Sequence, residues 1–109
     1  MRLERHQFSV VFAILAMCTT SAHAQRSLEN GENLVNRHCA MCHAIGRSGT
    51  SPDSKAPPFR TLGQGMPLDS LESPLGRGVL SGHPEMPEFV FPQQDVGAIL
   101  RYLRSIQER

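Results

Sequence analysis

Every periodic stretch of this 109-residue chain reads as helix, so the sequence predicts an all-α fold. Three observations carry that prediction. Val96, Ile99, Leu100, Leu103 and Ile106 follow the i, i+3, i+4, i+7 spacing of one helical face. Leu28, Leu34 and Val35 make a shorter apolar face upstream. Leu68, Leu71 and Leu75 make a third, and no βαβ pattern lies between them. At this length the chain holds one domain at most.

The N-terminal stretch reads as a targeting segment. Arg2 and Arg5 precede an almost wholly apolar run from Phe8 to Met17, and Ser21-Ala22-His23-Ala24 ends it in an A-x-A pattern. This predicts a signal peptide over residues 1–24, a domain over 25–109 and a periplasmic location. The run is too short to span a bilayer, so no stable membrane span is expected in the mature chain. The alternatives are an uncleaved anchor and, through Cys18, a lipid attachment against which the bulky Met17 argues. Cleavage leaves two cysteines, Cys39 and Cys42. It also takes Arg2, Arg5 and Glu4 out of 11 basic and 10 acidic residues, which leaves the charge balanced. No basic stripe exists, and nucleic acid is excluded as an expected partner. With no Trp and one Tyr, a domain this size buries little surface and is marginal alone. The composition asks for a staple.

Ser27 to His38 reads as the first helix of the domain. Ser27 is the N-cap candidate, with Glu29 and Glu32 in the first turns, where negative charge suits the helix dipole. Gly31 costs about 1 kcal/mol there relative to Ala. It marks either a close approach by another element or a tolerated surface position.

Cys39-Ala40-Met41-Cys42-His43 follows directly. C-x-x-C-H is the pattern of c-type haem attachment. Two thiols three apart on one turn can each bond a haem vinyl group, and the next residue then lies beside the iron. A neutral imidazole suits that position. The alternatives are a thioredoxin-like dithiol, which needs a βαβ context, and a zinc site, which needs four ligands. No second C-x-x-C exists, and His38 and His83 complete no usual zinc spacing.

Ala44 to Phe59 reads as a loop rich in Gly, Ser and Pro, ending in Ala56-Pro57-Pro58-Phe59. The two prolines donate no hydrogen bonds, so a carbonyl nearby is free to accept one from the second nitrogen of His43. The alternative is that they only shape a turn. Gly63 to Pro67 reads as a further turn, and Leu68 to Leu75 as a short helix that Pro74 limits or kinks.

In Gly82-His83-Pro84-Glu85-Met86-Pro87-Glu88-Phe89, a methionine sits between two prolines in irregular backbone. A thioether is a soft iron ligand, and His/Met ligation raises the reduction potential. Met86 is the sixth-ligand candidate, with Met66 and His83 as rivals and core filling as the general alternative for any methionine. Met41 lies inside the attachment turn and cannot reach the opposite side of the haem. Gln93 to Glu108 then forms the best-defined helix, with Pro92 at its start and Arg101, Arg104 and Arg109 toward its end. Its single apolar stripe needs a partner. The first helix offers one, with Gly31 allowing contact near Tyr102.

These residues resemble the class I mono-haem cytochromes c of the small exported bacterial kind, over nearly all of residues 25–109. The resemblance implies a cytochrome c fold: three to four helices wrapped around one covalently bound haem, with the N- and C-terminal helices crossing. It implies haem c held through Cys39 and Cys42, His43 as proximal ligand, Met86 as distal ligand, and Pro57 as the carbonyl that holds His43. Pro58, its neighbour, is the alternative. Gly31 and Val35 match one side of the helix crossing, and Ile99, Tyr102 and Leu103 the other. The expected function is electron transfer, with the iron cycling between Fe(II) and Fe(III) among redox partner proteins and no enzymatic turnover. A haem subunit of a periplasmic oxidoreductase complex and a haem-based ligand sensor are the alternatives. The chain is expected to be a monomer or a subunit of a redox complex.

Overall fold

The computed structural model describes the backbone of residues 3–78 and 84–109 and the side chains of 21–78 and 84–109. Among the described residues, four helices follow one another: α1 Leu3–His38, α2 Leu62–Gly65, α3 Glu72–Arg77 and α4 Gln93–Ile106. Single 3₁₀ turns, Phe59–Thr61 and Leu68–Leu71, lead into α2 and α3. There is no strand among the described residues, as an all-α fold requires.

The frame is the crossing of α1 and α4. Val35 is wholly buried, and it packs with Val96, Ile99, Leu100, Tyr102, Leu103 and Ile106 of α4. Full burial of a Val, Leu or Ile side chain is worth roughly 1.5–3 kcal/mol. Gly31 lies where the two backbones come closest. A Cβ there would sit 2.8 Å from the Ala98 carbonyl carbon and 2.9 Å from Tyr102 Cβ. The close-approach reading of Gly31 is therefore the right one. One turn on, the Tyr102 hydroxyl donates to the Ile45 carbonyl at 2.9 Å and pins the start of the long loop.

Ser27 is not an N-cap in this chain, because α1 runs through it without a break. Ala22, Ala24, Gln25 and Arg26 are good helix formers, and no Gly or Pro interrupts them. Two further expectations are corrected. Residues 63–67 are not a plain turn: Leu62–Gly65 completes a helical turn begun at Phe59. Pro74 neither ends nor kinks its helix. Because α3 starts at Glu72, Pro74 falls in the first turn, where a backbone N–H has no intrahelical partner to lose. The helix continues to Arg77 and stops at Gly78, whose φ of 78° is left-handed.

α4 ends at Ile106, two residues short of the expected Gln93–Glu108 span, because Gln107 turns away to serve another element. Its Nε2 donates to the Leu103 carbonyl at 2.8 Å and the Phe59 carbonyl at 2.7 Å, while its Oε1 accepts from Gly63 N–H at 2.8 Å. Glu108 N–H donates to the Arg60 carbonyl, and Arg60 Nε donates to the Glu108 carboxylate, both at 2.9 Å. The C-terminal tail is thus sewn to 59–63. Gln107→Ala should destabilise the protein by about 1–3 kcal/mol, the usual cost of leaving such partners unmet. A melting temperature equal to wild type would show that water replaces the amide freely.

Candidate functional site

The last hydrogen bond at the end of α1 runs from Cys39 N–H to the Val35 carbonyl at 2.8 Å. The chain then coils tightly: Cys42 N–H and His43 N–H both donate to the Cys39 carbonyl, at 3.2 and 3.0 Å. Cys39, Cys42 and His43 thereby share one turn. Both thiols are free and half-buried. Cys39 packs against the core, and that burial pushes its thiol up to about 11, so it is uncharged at neutral pH. Met41 is 87% exposed on the outer side of the turn.

His43 Nδ1 lies 2.7 Å from the Pro57 carbonyl. A carbonyl only accepts, so Nδ1 carries the proton and Nε2 keeps its lone pair for a metal. The Phe59 ring lies 4.5 Å from the imidazole, tilted by 36°. The Pro58 carbonyl is engaged elsewhere, accepting from Thr61 N–H at 3.2 Å and the Thr61 hydroxyl at 3.0 Å. The loop is drawn onto the turn by Asp53 N–H donating to the Cys42 carbonyl at 3.1 Å and Phe59 N–H donating to the Ala44 carbonyl at 2.9 Å.

Met86 is half-buried in the irregular stretch after Pro84. Beside it, Lys55 Nζ donates to the Glu85 carboxylate at 3.0 Å, which brings the Met86 stretch against the turn that leads into Pro57. Downstream, Phe89 and Phe91 stack at 5.5 Å, and His38 meets both rings edge-on at 5.7 and 5.3 Å. Met66 is also half-buried, at the end of α2 with its N–H on the Leu62 carbonyl at 3.2 Å. The His83 alternative lies outside the described residues.

Leu34, Ile45, Leu62, Leu68, Leu71 and Phe89 stay only partly buried against the core. They leave apolar surface for a bound group to cover. With two free thiols and an imidazole nitrogen left open, the residues suit haem. Among the described residues, no three of His, Cys, Asp and Glu gather to hold a metal ion, which leaves the zinc alternative without a ligand set there. Reading the residues alone missed Phe59 against His43 and Lys55 on Glu85. Both contacts depend on how the long loop folds back, and no local spacing announces that.

Two crossed helices, a C-x-x-C-H turn at the end of the first and an imidazole held by a proline carbonyl define a small c-type cytochrome. Residues 26–103 match the family described as cytochrome c oxidase, cbb3-type, subunit III, and the chain belongs to that family. It is 26% identical over 95 residues to cytochrome c-552 of Bradyrhizobium diazoefficiens, an alignment covering 86% of this chain and 89% of the relative. No solved structure gives a significant match. Haem c is accordingly the cofactor and electron transport its chemistry.

Proposed function

We propose that the protein is a periplasmic one-electron carrier that holds its haem through Cys39 and Cys42, with His43 and Met86 as axial ligands. The observation that carries this reading is the Pro57 carbonyl on His43 Nδ1, which leaves Nε2 as the metal-facing atom. When bound, the haem iron supplies an Fe(II)/Fe(III) couple. The chain's own residues do the rest. The two thiols anchor, the Pro57 carbonyl fixes the imidazole plane, and Phe59 limits water at the proximal side. Two protein ligands leave no open position, so no substrate turnover is assigned. Residues 1–24 act as a cleaved signal peptide. Among the described residues, no helix is long and apolar enough to cross a membrane.

The test is a pair of absorption spectra, ferric and ferrous, on the exported protein. The ferric form should show the weak red band of thioether ligation. Met86→Ala should remove it and lower the midpoint potential by on the order of 0.1 V, a fraction of the roughly 0.8 V that axial ligands command. Met66→Ala should leave the band in place. A band that survives Met86→Ala refutes the assignment.

A second reading, a haem subunit held in a larger redox complex, draws on the family description, which names an oxidase subunit. Size-exclusion chromatography of the exported fraction separates the two. Haem that elutes at the size of one chain supports the free carrier, and haem that co-elutes with other polypeptides supports the subunit.

A further inference from the structure

We propose that Lys55 and Glu85 are positioning residues: their ion pair ties the two segments that carry Pro57 and Met86, and sets how readily Met86 leaves the iron. The proposal rests on Met86 as distal ligand. Lys55 stands two residues before Pro57, in a turn that is itself fixed. Its N–H donates to Asp53 Oδ1 at 2.9 Å, Ala56 N–H donates to the Asp53 carbonyl at 3.1 Å, and Asp53 N–H donates to the Cys42 carbonyl at 3.1 Å. The lysine thus projects from backbone that is anchored on the haem-attachment turn.

Glu85 is the opposite case. It precedes Met86 in a stretch without regular structure. Between described residues, Lys55 on Glu85 is the one hydrogen bond that joins 84–90 to the rest of the chain. The remaining hold lies three to five residues past Met86: Phe89 and Phe91 meet His38, Val90 lies against Gly78, and Phe91 N–H donates to the Leu75 carbonyl at 3.0 Å. Among the described residues, the ion pair is the one polar contact beside the candidate ligand itself.

The two side chains are 73% and 66% exposed, so the attraction is weak and screened by salt. Weak is sufficient for this purpose. The pair acts on the balance between bound and released Met86, and a shift of a few fold in that balance is read directly.

Imidazole, used at a pH where it is neutral, is the probe. It competes with the thioether for ferric iron, and its binding is followed by loss of the red band. At low salt, Lys55→Gln and Glu85→Gln should each bind imidazole about two- to fivefold more tightly than wild type, the size expected of an exposed pair. Added salt should bring wild type toward the variants and move the variants little. The double exchange K55E/E85K should return wild-type affinity and its salt dependence. Single variants that match wild type at low salt, or a double exchange no better than the singles, overturn the tie. The Met86→Ala control keeps the two claims apart. If the red band survives in Met86→Ala, the ligand assignment fails and takes the tie with it. If the band is lost there while both single variants bind imidazole like wild type, the tie alone fails.

Discussion

Gly31→Ala is expected to lower stability by about 1–3 kcal/mol, although alanine is the better helix former. Helix propensity alone favours the change by about 1 kcal/mol. Sterics decide the sign. The added methyl group meets the Ala98 carbonyl group, with the carbonyl carbon at 2.8 Å, and that is backbone in the middle of α4, which cannot rotate aside as a side-chain tip does. The helices must therefore separate, and Val35, Ile99 and Leu103 lose contact with each other as they do. Gly31→Leu goes further and should abolish the crossing altogether. Gly97 is the internal control. It lies on the exposed side of α4, and a Cβ there meets nothing within 4 Å. Gly97→Ala should be neutral or stabilise by up to about 1 kcal/mol. Thermal melts of the three holoproteins settle the point, and equal melting temperatures for Gly31→Ala and Gly97→Ala would sink the argument.

That contrast shows what was legible in the residues. α4 announced itself because five apolar residues keep one period along one buried face. Gly31 was readable as one of two things, and the choice waited for the Ala98 backbone. Helix ends were less legible. Gln107 belongs to the helical pattern by spacing, yet its amide is drawn off by Phe59 and Gly63, more than forty residues upstream. The start of α1 was misread because Ser27 carries a cap's chemistry in a segment whose upstream neighbours also favour helix. At the site, C-x-x-C-H and the proline pair are short-range signals, and the structure brings His43 and Pro57 together. The Phe59 ring and the Lys55–Glu85 pair are set by loop closure, for which a single sequence holds no periodic cue.

The other large effect concerns the thiols. Protein carrying both Cys39→Ser and Cys42→Ser should release all its haem into acid acetone, while wild type retains it. The expectation follows from the shared turn. Cys39 and Cys42 stand on one tight turn closed by two hydrogen bonds to the Cys39 carbonyl, the spacing at which two thiols can each bond one haem. Serine keeps the size and the turn but forms no thioether. Each single variant should keep one bond and hold its haem through extraction. The vinyl group that stays unsaturated extends the conjugated system, so the reduced bands of each single variant should move to longer wavelength. The consequence for folding is graded in the same order. Leu34, Ile45, Leu62, Leu68, Leu71 and Phe89 are only half-covered by protein, and a domain of this size has little core to spare. Far-ultraviolet circular dichroism should therefore show near-native helix in the single variants and a marked loss of helix in the double variant. Retained haem after extraction of the double variant would rule out attachment through these sulfurs. Full helicity in haem-free protein would show that α1 and α4 close without the staple.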